Sequence, residues 1–371
     1  MRILQLVALL SPDGAYGGPA RVALNQSSEL IRRGHQVTIA AATRGYRIPP
    51  SELNGVPVRL FRARTLLPGI GFPGMGAPGL RRWFRRAGAE FDIVHIHFGR
   101  DLVVLPVAVA ARRDRIPYVL QTHGMVVPSS HPLAGPLDAV WTRKLLRDAN
   151  AVLYLNDQER QQLRDVAGTQ LHLAQVGNGV PDYPVADDRP APTEVLFVAR
   201  MHARKRPIAF VEMAKTLLSE GLDARFTLIG PDEGEGPALR AAVQSDPRIT
   251  WEGALTPAAI PHRMAMASVY VLPSVREPYP MSVLEAMAVG LPVVISDDCG
   301  LAPTVDRARC GIVTNGEIPA LAAAVKSLLD DRLSAQEMGD RARDAARADF
   351  GMSAIGDQLM AIYRKSGGVG R

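Results

Sequence analysis

Glu194-Val195-Leu196-Phe197-Val198-Ala199-Arg200-Met201-His202-Ala203-Arg204-Lys205-Arg206-Pro207 is the stretch on which the fold reading turns. Val195 to Ala199 form an apolar run without alternation, the pattern of a strand covered on both faces. Basic residues crowd the turn that follows. Pro207 suits the first position of a helix, where the N–H it lacks would have no intrahelical partner. Helical spacing continues over Pro207–Ser219, and Arg225–Ile229 is the next strand-like run. Strand, turn, helix and strand in succession predict a parallel sheet in an α/β layer architecture.

The alternation extends in both directions. Downstream, Ile249–Trp251, Val269–Leu272 and Pro292–Ile295 read as strands, with a helix at Ser282–Val289 between the last two. Ile318–Asp330 and Ala335–Ala348 read as helices, and a last helix spans Ser353–Arg364, with Ile355, Leu359, Ile362 and Tyr363 near helical spacing. Upstream, the segment from Pro181 to Pro192 is polar and proline-rich, which marks a linker. Before it, Ile3–Leu9, Gln36–Ala41, Asp92–His97, Tyr118–Gln121 and Ala151–Leu155 read as strands and Pro19–Arg33 as a helix. A chain of 371 residues is long enough for two domains. The expectation is two doubly wound, Rossmann-like domains over residues 1–183 and 192–351. Ligands of such sheets bind outside the carboxyl ends of the strands, so two facing domains would put the chemistry in the cleft between them.

Composition narrows the class. Hydrophobic content of 47% and charged content of 22% are those of an ordinary globular protein. The two cysteines, Cys299 and Cys310, have neither CxxC spacing nor a nearby histidine set, so they predict no disulfide framework or zinc site, and a reducing compartment. The apolar start, Ile3 to Leu10, follows a single basic residue and runs into Ser11-Pro12-Asp13-Gly14, which favours a buried strand over a signal peptide. Leu102 to Ala111 is too short to span a bilayer. The formal charge of +6 is unevenly spread. Between Glu52 and Glu90 there is no acid, but there are Arg59, Arg62, Arg64, Arg81, Arg82, Arg85 and Arg86, interleaved with Phe61, Leu66, Leu67, Phe72, Trp83 and Phe84. Such a stretch can bind an anionic membrane surface. It also reads as a solvated loop and a helix whose apolar side packs inward. No nucleic-acid-binding motif accompanies the charge, so no nucleic-acid partner is expected.

Four constellations carry chemistry. Gly14-Ala15-Tyr16-Gly17-Gly18-Pro19 after the first strand lets backbone approach a ligand, and free N–H groups at a helix start favour phosphate. A tight turn needs glycines as well. The spacing is not GxGxxG, and the second strand ends in Ala40-Ala41-Ala42-Thr43 without a ribose-binding carboxylate, which argues against a dehydrogenase. His123, at the carboxyl end of a strand and before Gly124, is placed to point toward a ligand, or is a satisfied structural histidine. Arg200 and Lys205 flank a helix start and would neutralise a diphosphate leaving group. Glu277 lies in a loop and Glu285 in the next helix; carboxylates accept hydrogen bonds from sugar hydroxyls and a ribose diol. Ser282-Val283-Leu284-Glu285 is equally a capping box, in which Glu285 would return to the cap N–H.

Arg276-Glu277-Pro278-Tyr279-Pro280-Met281-Ser282-Val283-Leu284-Glu285-Ala286-Met287-Ala288-Val289-Gly290-Leu291-Pro292-Val293-Val294 resembles the E-x7-E signature of glycosyltransferase family 4, enzymes of the GT-B fold. Gly17-Gly18, His123-Gly124, Val176-Gly177-Asn178-Gly179-Val180, and Arg200 with Lys205 match as well, so the likeness covers nearly the whole chain. It implies retaining transfer of a hexose from a UDP-sugar or GDP-mannose to a glycan or lipid-linked acceptor, without a metal or other cofactor, as in polysaccharide biosynthesis. It implies that Arg200 and Lys205 bind the diphosphate, Glu277 the sugar hydroxyls and Glu285 the ribose. His123 would lie beside the sugar, and the amides of Gly17, Gly18, Met281 and Ser282 would meet phosphate or acceptor. It also implies that the last helix, residues 352–371, crosses back to the first domain. Pro280 and Arg206 stand where the family usually has glycine; neither change removes a charged group. There is no D-x-D motif, and Asp297-Asp298 reads as loop chemistry. A cytoplasmic enzyme at the inner membrane face is expected. A non-catalytic glycan-binding scaffold or a nucleotide-sugar epimerase are the alternatives.

Overall fold

The computed structural model describes residues 1–12, 17–183, 193–244 and 246–366. Two compact units divide the chain: Met1–Gly179 with Met352–Arg371, and Val180–Gly351. Residues 13–16 of the glycine-rich turn and 184–192 of the expected linker lie outside the described residues.

The first unit is built on β1 (Arg2–Leu10), β2 (Gln36–Thr43), β3 (Glu52–Leu53), β4 (Val56–Arg62), the ribbon β5 (Arg64–Thr65) and β6 (Met75–Gly76), β7 (Ile93–His97), β8 (Tyr118–Gln121), β9 (Ala151–Tyr154) and β10 (Leu173–Gln175). Its main sheet runs β10-β9-β8-β7-β1-β2-β4-β3, parallel throughout except where the short β3 pairs with β4. The second unit has β11 (Glu194–Val198), β12 (Arg225–Ile229), β13 (Ile249–Trp251), β14 (Val269–Leu272), β15 (Val293–Ser296) and β16 (Gly311–Thr314), in the wholly parallel order β13-β12-β11-β14-β15-β16. In each sheet the direction of growth reverses beside the first strand, between β1 and β7 and between β11 and β14. Connecting helices leave to opposite faces there and open a crevice at the carboxyl edge.

Burial on both faces explains why the central strands read clearly. Val195, Leu196, Phe197, Val269, Tyr270 and Val271 are fully enclosed. The strands that the sequence did not signal lie at or next to sheet margins, as β3, β4, β10 and β16 do, or in the separate ribbon β5–β6. A margin strand keeps one side in solvent and needs no continuous apolar run. Gly236–Val243, Ile260–Ala265 and Ala302–Ala308 are short helices that the periodicity also missed. Pro106 stands in the first turn of helix Leu105–Arg113, so it does not interrupt that helix.

The arginine-rich segment resolves into a clear division. Helix Pro78–Ala87 buries Leu80 and Phe84, and Trp83 packs between Phe61 and Phe91, with ring centroids at 5.6 and 6.2 Å. Arg81, Arg82, Arg85 and Arg86 stay exposed, as do Leu66 and Leu67 in the loop before it. The apolar side therefore packs inward, and the outer face is nearly pure arginine.

The last helix, Met352–Ser366, belongs to the first unit. Ile355, Leu359, Met360 and Tyr363 join a core cluster with Ile3, Leu30, Val37, Ile93 and Val119. Arg33 ties its start by bonds of 2.6 Å to Asp357 and to the Ser353 carbonyl. Tyr363 reaches the interior, where its hydroxyl lies 2.6 Å from His95 Nδ1. His95, His97 and His123 form a row: His95 stacks on His97 with centroids at 4.8 Å and planes 3° apart, and His123 meets His97 edge to edge, nearly coplanar, with centroids at 5.0 Å. Burial pushes His95 and His123 down to about 3, and His97 well below its ordinary value.

This buried row makes the fold acid-sensitive. The unfolded chain protonates these three histidines near pH 6.5 and the folded chain does not. The stability they leave intact above pH 6.5 is therefore lost progressively as pH falls toward 3. Buried Asp101, raised to about 6, acts in the opposite sense below pH 6 and offsets roughly one ring. In a Trp251→Phe variant, Trp83 and Trp141 report on the first unit. Its urea midpoint should be lower at pH 5.5 than at pH 7.5, and an unchanged midpoint would contradict the buried neutral row.

Candidate active site

In the second unit the sequence-predicted residues gather at the carboxyl edge beside the β11–β14 crevice. Arg200 leaves β11. His202 then starts a short turn, Ala203–Lys205, by accepting the Arg204 N–H on Nδ1 at 3.1 Å. Arg206 takes a left-handed conformation, φ 55°, and bonds the Gly316 carbonyl at 2.7 Å, which delivers Pro207 to the start of helix Pro207–Ser219. Gly230, at the end of β12, lets the chain pass close to β11: a Cβ there would lie 1.8 Å from the Ala199 carbonyl oxygen. No side chain could occupy that position without moving the Arg200 turn.

Lys205 Nζ donates to Glu277 Oε2, and Arg204 lies 3.5 Å from the same oxygen. Glu277 is buried and its backbone is fixed by Gly300 N–H donating to its carbonyl at 2.8 Å. Lys205 and Glu277 are both largely shielded, and pairs of this kind add little net stability because desolvation opposes their attraction. The pairing therefore contributes little as a staple. Asp298 accepts the Arg276 N–H at 2.7 Å, the loop role expected of it.

The capping-box alternative for Glu285 does not hold. The helix begins at Met281 with Pro280 at its cap, so Ser282 lies inside it, and Ser282 Oγ is 2.7 Å from the Tyr270 hydroxyl. Glu285 is buried on this helix, and both it and Glu277 act on Tyr270, whose ionisation burial opposes first and the two carboxylates oppose further. The Met281 and Ser282 amides precede the first bonds of the helix, which Val283 and Leu284 make to the Pro280 carbonyl.

Arg200 is not isolated. Its Nη1 donates to both carboxylate oxygens of Glu233 at 2.6 Å. Sequence reading missed Glu233, because Gly230-Pro231-Asp232-Glu233-Gly234 looks like an ordinary turn. Only the parallel register of β11 on β12, with Val198 beside Ile229, brings it to Arg200.

In the first unit His123 and Gly124 both have positive φ, 51° and 71°. A histidine held in this region is strained and persists only where its surroundings fix it. Glu159 does so: it accepts Thr122 Oγ1 and Gly124 N–H at 2.5 Å and Leu155 N–H at 2.7 Å. Glu159 was not legible either, since it reads as an exposed helix acid. Gly17 opens helix Gly17–Arg32, and a Cβ at Gly18 would meet no atom within 4 Å, so packing does not require that glycine. A cavity of about 560 Å³ lies at the carboxyl ends of β1 and β2, lined by Leu9, Ser11, Arg44, Thr65, Leu67 and Phe72 among others. Among the described residues no group of three His, Cys, Asp or Glu side chains could hold a metal ion.

Comparison with known proteins gives the same outline. The model described as "Glycosyl transferases group 1" matches residues 192–331, and that described as "Glycosyl transferase 4-like domain" matches residues 17–179. The chain is 28% identical to an alpha-D-kanosaminyltransferase of Streptomyces kanamyceticus, over 97% of this chain and 98% of that protein. It is 28% identical to D-inositol 3-phosphate glycosyltransferase 1 of Catenulispora acidiphila, over 100% of this chain and 97% of that one. Among solved structures, sucrose-phosphate synthase from Thermosynechococcus elongatus superposes with a TM-score of 0.78 at 21% identity, covering 98% of each chain. Anabaena HepE in complex with UDP and glucose gives 0.75 at 21%, covering 97% of this chain and 98% of that one. The two family models between them match most of each unit, the fold is that of these structures, and the chain belongs to the glycosyltransferases of the GT-B fold.

Proposed function

We propose that the chain is a retaining, metal-independent hexosyltransferase that takes a nucleotide-diphosphate sugar as donor and a glycan or lipid-linked hydroxyl as acceptor. The observation that carries this reading is the ionic group at the carboxyl edge of the second sheet, where Lys205 and Arg204 meet Glu277 and Arg200 pairs with Glu233. Two cations beside helix starts suit a departing diphosphate, with the Met281 and Ser282 amides as further donors. Glu277, already shared with Lys205, couples sugar hydroxyls to the charge that stabilises the leaving group. Glu285 takes the ribose. A UDP-sugar or GDP-mannose is the donor; the HepE structure with UDP-glucose favours the former.

The first unit supplies the acceptor side. Its cavity offers apolar walls from Leu9, Leu67 and Phe72, hydroxyls from Ser11 and Thr65, and the Arg44 cation, a mixture suited to a ring with hydroxyls. Gly17 and Gly18 lend backbone amides, and His123 serves the transferred sugar. In a retaining reaction without a covalent intermediate, the C1–O bond to the diphosphate breaks, and the leaving phosphate oxygen takes the proton of the attacking hydroxyl. The enzyme's task is then to stabilise the diphosphate charge, with Arg200 and Lys205 in the place a metal would take.

No described helix is long and apolar enough to cross a membrane. The exposed Arg81, Arg82, Arg85 and Arg86 suit electrostatic contact with the anionic cytoplasmic face, where lipid-linked acceptors reside.

Lys205→Ala and Glu277→Ala should each slow transfer by about a hundredfold or more, the scale of one lost preorganised charge, measured with radiolabelled donor. Wild-type rates in both would overturn the site. UDP, GDP, ADP and dTDP compared by thermal shift should single out one base. At a hundredfold excess over its dissociation constant that diphosphate adds about 2.7 kcal/mol of stability, and the gain should shrink in Lys205→Ala. Vesicles with anionic lipid should pellet the protein at low salt. Replacing the four arginines by serine should abolish pelleting; if it persists, the helix is not the contact.

A further inference from the structure

Gln5, His97 and His123 form a hydrogen-bonded line through the interior of the first unit. Gln5 lies on β1 and His97 on β7, on the face that the last helix covers. The Gln5 side-chain oxygen is 2.8 Å from His97 Nε2, and His97 Nδ1 is 2.7 Å from His123 Nε2. Gln5 and His97 are 0% and 1% exposed, so neither contact is shared with solvent. A carbonyl oxygen only accepts, so His97 carries its proton on Nε2. Burial keeps His97 neutral, and its Nδ1 then has only a lone pair to offer. With the Gln5 amide oxygen facing His97, His123 Nε2 is the N–H partner, and Nδ1 is the basic nitrogen of His123.

We propose that Gln5 and His97 are positioning residues for the transfer reaction: they hold the His123 imidazole neutral, in a single Nε2–H tautomer and a single orientation. This rests on the reading of His123 as a residue that serves the transferred sugar. The His97 and His123 rings are only 7° from parallel, as an in-plane bond between their facing nitrogens requires. Asn178 lies beside His123 with its Oδ1 unbonded among the described residues. An acceptor there would call for Nδ1–H, the opposite tautomer. Turned so that its N–H faces the ring, the Asn178 amide donates to Nδ1 and supports the same Nε2–H tautomer. A histidine fixed in this way presents the same hydrogen-bonding face at every turnover, without the cost of ordering it when substrate arrives.

The test is tautomer-resolved NMR of the whole chain labelled with [15N]histidine, in which two-bond 1H–15N correlations show which ring nitrogen bears hydrogen. His97→Asn and His123→Gln assign the two rings among the eight histidines. At pH 7 both should read as neutral Nε2–H, and His123 should stay neutral at pH 5. His97→Phe keeps an aromatic ring on β7 and removes the acceptor. It should move His123 to mixed tautomers and lower kcat by about tenfold or more with donor KM nearly unchanged, the scale of a lost partner behind an active-site imidazole. His97→Asn returns an acceptor at the Nδ1 position and should recover most of kcat. Gln5→Leu repeats the test from the far end of the line should His97→Phe fold poorly. Nδ1–H or a charged ring at His123 in the unmutated chain, or wild-type turnover in both His97→Phe and Gln5→Leu, overturns the proposal. Wild-type turnover in His123→Ala removes the role of His123 itself, a separate failure that leaves the tautomer measurement to decide the line.

Discussion

Parallel strands all end on one edge of their sheet, and that constraint underlies the chemistry described above. Arg200 follows β11, Glu233 follows β12, Glu277 follows β14 and Asp298 follows β15. These residues are far apart in the chain but lie on one edge because four neighbouring strands run in the same direction. Had one central strand been antiparallel, its loop would have emptied onto the opposite edge. The first unit repeats the device, with Ser11, Arg44 and His123 following β1, β2 and β8. Packing of buried, unalternated strands is thus what assembles the polar groups.

Charge in the second unit is balanced rather than bare. Lys205 and Arg204 share Glu277, and Arg200 grips Glu233. Paired charges cost less to shield than lone ones, which lets cations wait at a partly enclosed site. Glu277 also links two loops, since its backbone carbonyl holds Gly300 while its side chain holds Lys205. A substitution there disturbs position as well as charge.

The first unit spends its interior differently. One face of its central strands is apolar at the amino end and polar toward the carboxyl end, where Gln5, His95, His97 and Gln121 replace aliphatic side chains. Tyr363 closes this patch from the last helix. Gln5 Nε2, His95 Nε2 and Gln121 Nε2 have no hydrogen-bond partner among the described residues. Buried polar groups of this density lower stability, and they lie at the edge where ligands bind, which is where such a sacrifice is expected.

The sequence by itself determined the layers, the two-part division and the basic and acidic segments, because buried parallel strands and helix starts leave local signals in residue type and spacing. Val195–Ala199, Pro207–Ser219 and Glu277 through Val294 were readable for that reason. It left Glu285 between a ligand role and a cap; a helix start one residue earlier, at Met281, removed the cap. Only the tertiary structure decided that Glu233 meets Arg200, that Glu159 pins His123, that the aromatic side of Pro78–Ala87 faces the core, and that His97 and Gln5 stand behind His123. Each is a contact between strands or helices distant in the chain. Sequence spacing carries no record of such contacts, because strand order and register, rather than local propensity, create them.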